Sequence, residues 1–156
     1  MSRKKSTSTP GEPHDPEEFG DSALSRKQVL EVVRKKDSLE EADLRGTDLS
    51  GICFDGMNLA FAKFGEANLS RSTFKGADLR GASFFSANLK DVCLDGANLE
   101  DADLDYAQLD GVTLHNAKIR KALFPTKRLL LTDIRASVAT GVRLRMEAYS
   151  PSEDED

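Results

Sequence analysis

The stretch ANLEDADLDYAQLDGVTL, residues 97–114, places Leu99, Leu104, Leu109 and Leu114 five apart, with Ala97, Ala102 and Ala107 each two residues ahead of a leucine. No single regular element accommodates that period. An α-helix advances about 100° per residue, so a five-residue step turns each leucine about 140° from the last and no buried stripe forms. On a continuous strand an odd step sends successive leucines to opposite faces. A three-residue extended piece, Ala-x-Leu, has both ends pointing the same way, and two further residues can then turn the chain. The spacing therefore predicts a coil carrying one short strand per side.

The register holds from Ala42 to Thr126 without insertion, seventeen pentapeptides in which every central residue, from Leu44 and Leu49 through Phe54 to Ile119 and Phe124, is large and apolar. The position two residues earlier is mostly alanine, so small side chains are demanded there. A repeat this long determines the architecture and is read before anything else. Segments such as ADLRG (77–81), ANLKD (87–91) and ANLED (97–101) make the chain similar to the pentapeptide-repeat family. That resemblance implies an all-β solenoid: a right-handed quadrilateral β-helix with four pentapeptides per coil, here just over four coils. Residues 20 apart then stack, so Leu44, Phe64, Phe84, Leu104 and Phe124 share one inner side, while Phe54, Phe74, Leu94 and Leu114 share another.

The flanks differ in composition. Residues 1–24 are rich in Ser, Thr, Pro, Gly and charge and read as a disordered arm. Residues 25–37 read as a short N-terminal capping α-helix, with Ser25 and Gln28 at capping-box spacing and Val29, Leu30, Val32 and Val33 as its apolar stripe. Ile52 and Met57 are the bulkiest residues at the normally small position, and the helix is expected to plug that wider end. The repeat domain is assigned to 38–126 and a C-terminal cap or dimerisation segment to 127–149. Within that segment TKRLLLTDIRASVATG has room for a short helix, and VRLRMEAY alternates Val142, Leu144 and Met146 against polar residues like a half-buried strand. Leu129, Ile134 and Leu144 still fall in the five-residue register. Residues 150–156 form an acidic tail expected to be disordered.

No constellation for chemistry emerges, and neither a catalytic, a cofactor-binding nor a metal site is expected. His14 falls in the arm, and His115 follows a central residue and should face outward. Cys53 and Cys93 share an outer column with Thr73 between them, about 9.6 Å apart for two strand spacings and beyond disulfide reach. The Asx residues preceding central leucines, in columns Asn58, Asp78, Asn98 and Asp48, Asn68, Asn88, are expected to bond turn amides or to stack as polar ladders. Gly56, Gly76 and Gly96 recur at one corner, as tight turns require.

Two surface features remain. Asp91, Asp95, Glu100, Asp101, Asp103, Asp105 and Asp110 wrap one coil in negative charge, followed by Lys118, Arg120, Lys121, Lys127 and Arg128; this arrangement either steers a partner or compensates itself. Phe61, Phe85 and Tyr106 occupy outward positions near one side, where rings can form an interface hot spot.

The resulting expectation is a non-enzymatic protein–protein interaction or scaffold module whose partner is another protein. The net charge of −5 argues against nucleic acid. The absence of any long apolar run argues against a membrane and for a cytoplasmic protein. The resemblance supplies an alternative, DNA-mimicking binding and protection of topoisomerase (gyrase), set against a short rod whose acidity is confined to one coil. It also implies a homodimer through the C-terminal end, for which Val142, Leu144 and Met146 offer an apolar edge.

Overall fold

A computed structural model of the chain describes residues 23–147. The expected arm, apart from its last two residues, and the acidic tail lie outside the described residues, as do His14 and positions 148 and 149.

Every bridge between backbone segments is parallel and joins residues 20 apart, from Asp43 with Lys63 to Asp103 with Leu123. One coil therefore contains four pentapeptides. The hydrogen bonds repeat with it: Phe54 N–H donates to Thr73 C=O at 2.7 Å, and Lys63 N–H donates back to Ala42 C=O at 2.9 Å. The four sides are numbered by their central residues: first Leu44 to Phe124, second Leu49 to Leu109, third Phe54 to Leu114, fourth Leu59 to Ile119. Leu39 adds one more fourth-side position, its N–H bonded to Asn58 C=O at 2.9 Å.

The corners explain the two residues that follow each central one. At the second of them φ is positive, from Glu41 (60°) through Gly76 (65°) to Lys121 (59°), and the next N–H closes a four-residue turn onto the central carbonyl, as from Ala77 to Phe74 at 3.1 Å. Positive φ at the third residue of such a turn is the habit of type II turns and favours glycine. Gly56 (69°), Gly76 and Gly96 (70°) meet that need. On the outer surface the side-chain oxygen of an Asp or Asn before the central residue accepts the N–H two residues on, at 2.9–3.3 Å for Asp43, Asp48, Asn58, Asn68, Asp78, Asn88, Asn98 and Asp103. Each such bond is an Asx turn that fixes the start of the corner.

Inside, the central residues from Leu44 to Leu114 form one dry cluster with the alanines. Phe64 and Phe84 stack at 4.8 Å and Phe54 and Phe74 at 4.9 Å, one strand spacing apart. Rings from these opposite sides meet edge to face, as Phe74 with Phe84 at 6.1 Å. Ser72 stands buried at a small position and returns its hydroxyl to the Leu69 carbonyl.

Helix α1, Arg26–Lys35, begins with the expected capping box: Ser25 Oγ accepts Gln28 N–H at 3.3 Å and Gln28 Oε1 accepts Ser25 N–H at 2.8 Å. Val29, Val32 and Val33 pack on the core beside Ile52 and Met57. Leu30 departs from expectation and is exposed, because residues 29, 32 and 33 share one helical face and position 30 is about 100° away. Leu24 N–H donates to Asp43 C=O at 2.7 Å, and Arg26 Nη1 donates to the carbonyls of Asp48 (3.1 Å) and Ser50 (3.0 Å), filling first- and second-side edge acceptors of the first coil.

At the other end lies α2, Leu131–Thr140, followed by an extended segment. Asn116 N–H donates to Val138 C=O at 2.9 Å, Leu114 N–H to Ser137 Oγ at 3.1 Å, Gly111 N–H to Leu144 C=O at 2.8 Å and Leu109 N–H to Met146 Sδ at 3.1 Å. A fifth coil would have supplied these acceptors. Leu129, Ile134 and Leu144 are buried, but the α2 backbone is helical and these residues do not continue the coil. The expected alternation holds at Leu144 and Met146, which turn to the core while Arg143, Arg145 and Glu147 are exposed, and fails at Val142. Leu144 is buried within its own chain, and Val142, directly after the left-handed Gly141 that ends α2, is 59% exposed.

Two outcomes are expected from this packing. Phe84→Ala removes a ring stacked on Phe64 and should cost about 3–5 kcal/mol in urea unfolding, whereas an outward substitution such as Ser83→Ala should stay within about 0.5 kcal/mol. The Arg80 guanidinium, bonded at 2.9 and 2.8 Å, holds the Asp78 carboxyl below the usual range, and the Ser50 hydroxyl and amide do the same for Asp48. Both groups are depressed in the folded state. Their stabilisation is therefore present above the ordinary carboxylate range and is lost as pH falls through the folded values. Urea midpoints should drop below about pH 4. Asp78→Asn keeps the Asx acceptor but should flatten part of that drop, at a cost under about 1 kcal/mol near neutral pH for this partly exposed pair.

Candidate interaction surface

The three outward aromatic residues border the first side. Phe61 stands at the corner between the fourth and first sides, and its ring lies over Gly81 one coil on, where a Cβ would come within 2.4 Å of it. Phe85 follows the central Phe84, and Tyr106 stands at the corner between the first and second sides. Their rings meet edge to face at 5.2 Å and 65°. Phe61, Phe85 and Tyr106 are 55, 44 and 67% exposed. Phe61 and Tyr106 both take the left-handed corner conformation, φ 60° and 59°, a costly place for a ring. Between these ridges lie Lys63 and Ser83, paired by their backbone.

The acidic residues are not gathered in one place. Because one coil is 20 residues, a run from Asp91 to Asp110 encircles the rod: Asp95 lies on the third side, Glu100 and Asp101 follow the fourth, Asp103 and Asp105 belong to the first, and Asp91 and Asp110 follow the second. Several are engaged by backbone amides. Asp95 Oδ1 accepts His115 N–H at 3.0 Å, Asp103 Oδ1 accepts Asp105 N–H at 2.9 Å, and Asp110 Oδ1 accepts Met146 N–H at 2.8 Å. Others face opposite charge. Asp91 stands 3.9 Å from Arg143, and Glu100 falls between Arg80 and Arg120 in its column. The same register puts Asp101 beside Lys121 and Asp110 beside Lys90. Compensation along columns is the arrangement found, and there is no continuous acidic side.

Of the C-terminal trio only Val142 is presented to solvent, since Leu144 is buried and the Met146 sulfur accepts Leu109 N–H. His115 also departs from expectation: the chain at Gly141 covers it, and its Nδ1 is buried without a hydrogen-bond partner. Cys53 and Cys93 are free thiols, each bridged to Thr73 as the column requires. Among the described residues no group of His, Cys, Asp or Glu is placed to hold a metal ion, and no helix is long and apolar enough to cross a membrane.

Comparison with known proteins agrees with this geometry. The profile of the pentapeptide repeats matches in 8 copies, over residues 52–91, 62–101 and 82–120. The chain is similar to a solved pentapeptide repeat protein from the Arabidopsis thaliana thylakoid lumen, with 42% identity over 51% of this chain and 55% of that one and a TM-score of 0.51. It is similar to another from the cyanobacterium Cyanothece 51142, with 34% identity over 54% of this chain and 57% of that one and a TM-score of 0.53. A third, from Nostoc PCC 7120, is 29% identical over 70% of this chain and 93% of that one, with a TM-score of 0.63. The chain spans little more than half the length of the first two. No curated protein matches it in sequence. Proteins of this kind form right-handed quadrilateral β-helices and are generally structural or interaction modules. Through its uninterrupted five-residue register and the 20-residue coil that register builds, the chain belongs to the pentapeptide-repeat family.

Proposed function

We propose that the protein is a non-enzymatic interaction module whose first side receives another protein, with α1 and the segment after Pro125 serving as end caps. The edge-to-face contact between the exposed rings of Phe85 and Tyr106, at 5.2 Å, carries this reading. Exposed aromatic rings offer large contact area with little rotamer entropy to lose, and they dominate binding energy where they occur in interfaces. Phe61 at the opposite corner, with Lys63 and Ser83 between, leaves the first side with aromatic banks at both corners.

The carboxylates of the acidic coil are assigned to structure, because amides and neighbouring basic columns engage them on all four sides. Self-association at the C-terminal end would draw on Val142 and Leu131, both exposed, and not on Leu144, which is buried.

Affinity capture from native lysate should lose its partner bands when Phe85 and Tyr106 are both replaced by alanine, with the thermal midpoint unchanged. Identical capture by the double variant would exclude this side. For the end, light scattering should show a dimer that Leu131→Ser with Val142→Ser converts to monomer; a wild-type monomer at high concentration refutes the pairing.

A further inference from the structure

The first coil has a gap on its third side. The repeat leaves three backbone groups per side facing the N-terminal end: the N–H and C=O of the residue before the centre, and the C=O of the residue after it. On the first side Asp43 C=O takes Leu24 N–H; on the second, Asp48 and Ser50 carbonyls take Arg26; on the fourth, Asn58 and Ala60 carbonyls take the N–H groups of Leu39 and Glu41. On the third side, Cys53 N–H, Cys53 C=O and Asp55 C=O have no partner among the described residues. The cause is the course of the chain. Helix α1 ends at Lys35, Lys36 turns left-handed (φ 56°), and its N–H closes back on Val33 C=O, so among the described residues no extended segment reaches this edge. What remains is a cleft of about 510 Å³ bordered by Val33, Lys36, Cys53, Asp55 and Met57, within the range of ligand clefts, roughly 300–1,000 Å³.

We propose that this edge docks an extended peptide segment of a partner protein, added as a parallel strand in the place where a preceding coil would run. The solenoid's own pattern specifies the bonds. In the coils that are present, a central N–H donates to the carbonyl before the next centre, the N–H two residues on donates to the carbonyl after it, and the carbonyl two residues back accepts the intervening N–H, as between residues 72–76 and 93–95. A peptide with residue k at the centre gives its N–H to Cys53 C=O and the N–H of k+2 to Asp55 C=O, and its k−2 carbonyl accepts Cys53 N–H. Residue k faces the apolar border formed by Val33 and Met57, so an aliphatic side chain suits it and proline does not. Main-chain bonds supply affinity and alternate side chains supply specificity, as in strand addition to other open edges. The cleft is separate from the aromatic banks of the first side, which belong to the opposite wall of the coil.

The test uses the full chain and a synthetic peptide of its own sequence 86–91, acetylated and amidated, whose Ala-Asn-Leu core makes these bonds in the third coil. In the free protein the Cys53 amide should exchange hydrogen fast while those of Thr73 and Cys93 are slow. Adding the peptide should protect Cys53, and the same peptide N-methylated at its leucine should bind about tenfold more weakly, through loss of one bond and its room. Three results overturn the proposal. The first is a Cys53 amide that the peptide leaves unprotected. The second is a Cys53 amide already slow at every protein concentration, which means that the chain itself fills the edge. The third is protection that grows with protein concentration alone, which assigns the edge to a second copy.

Discussion

Every feature of this molecule depends on large apolar side chains entering one shared interior at every fifth residue. That demand sets the backbone. For Phe54, Leu59, Phe64 and Leu69 all to point inward, the chain must turn a corner after each, and it does so by placing the second following residue at positive φ. Seven of these corners from Glu41 to Lys121 are glycine, at 46, 51, 56, 76, 81, 96 and 111; the others include Phe61, Arg71, Tyr106 and Lys121. A left-handed residue with a Cβ costs about 1–2 kcal/mol, whereas burying one Leu or Phe contributes about 1.5–3 kcal/mol. The core term is the larger at each pentapeptide, so corners tolerate residues that an isolated turn would reject. Where the conformational strain is already overcome by the core, the outward side chain is free to serve recognition, and both Phe61 and Tyr106 stand at such corners.

The part of the fold governed by this rule was legible from sequence. A period of five excludes the ordinary elements, the resemblance gave four repeats per coil, and from those two facts the stacked rings of Phe64 on Phe84 and Phe54 on Phe74 follow as neighbours 20 residues apart. The exposure of Phe61, Phe85 and Tyr106 follows as well: Phe85 by alternation beside the inward Phe84, and Phe61 and Tyr106 because they stand at corners. The flanks were less legible for a physical reason: outside the repeat, the same five-residue spacing recurs without the same backbone. Leu129, Ile134 and Leu144 keep the register and are buried, yet α2 carries one of them and no coil forms. Alternation at Val142, Leu144 and Met146 indicates which residues share a face of a strand, but it does not say where the segment first meets the molecule. Beyond α2, whose Val138 C=O already accepts Asn116 N–H, the chain resumes backbone bonding to the last coil only at Leu144, whose N–H reaches Val112 C=O at 2.8 Å, and Val142 is left outside.

Charge was the hardest feature to read, because sequence distance and spatial distance differ most on a solenoid. Seven acids between Asp91 and Asp110 form a cluster in the sequence and a ring in space. Their near neighbours are residues 20 positions away, and there the signs alternate: Arg80, Glu100 and Arg120 succeed one another along one corner, and Lys90 and Asp110 along another. Exposed pairs of this kind contribute little each, but the alternation keeps like charges from stacking at one strand spacing, about 4.8 Å, where repulsion would act on every coil. A charged side for recognition would have to break that alternation by repeating one sign at intervals of 20. No column here does so over three coils.

The ends obey different chemistry from the middle. Between coils, the groups that join one coil to the next find their complement in another backbone, and side chains serve mainly the N–H after a central residue, which an Asp or Asn oxygen accepts. At the ends the complement is missing and side chains replace it: the Arg26 guanidinium reaches two carbonyls, Ser137 Oγ takes Leu114 N–H, and the Met146 sulfur takes Leu109 N–H. A side chain reaches one or two groups from one anchor point, while a coil presents such groups on four sides. An end closed by a single ten-residue helix therefore covers some sides and leaves another to whatever extended chain can reach it. On this molecule the exposed third-side edge at Cys53 is a geometric consequence of closing a square with a rod.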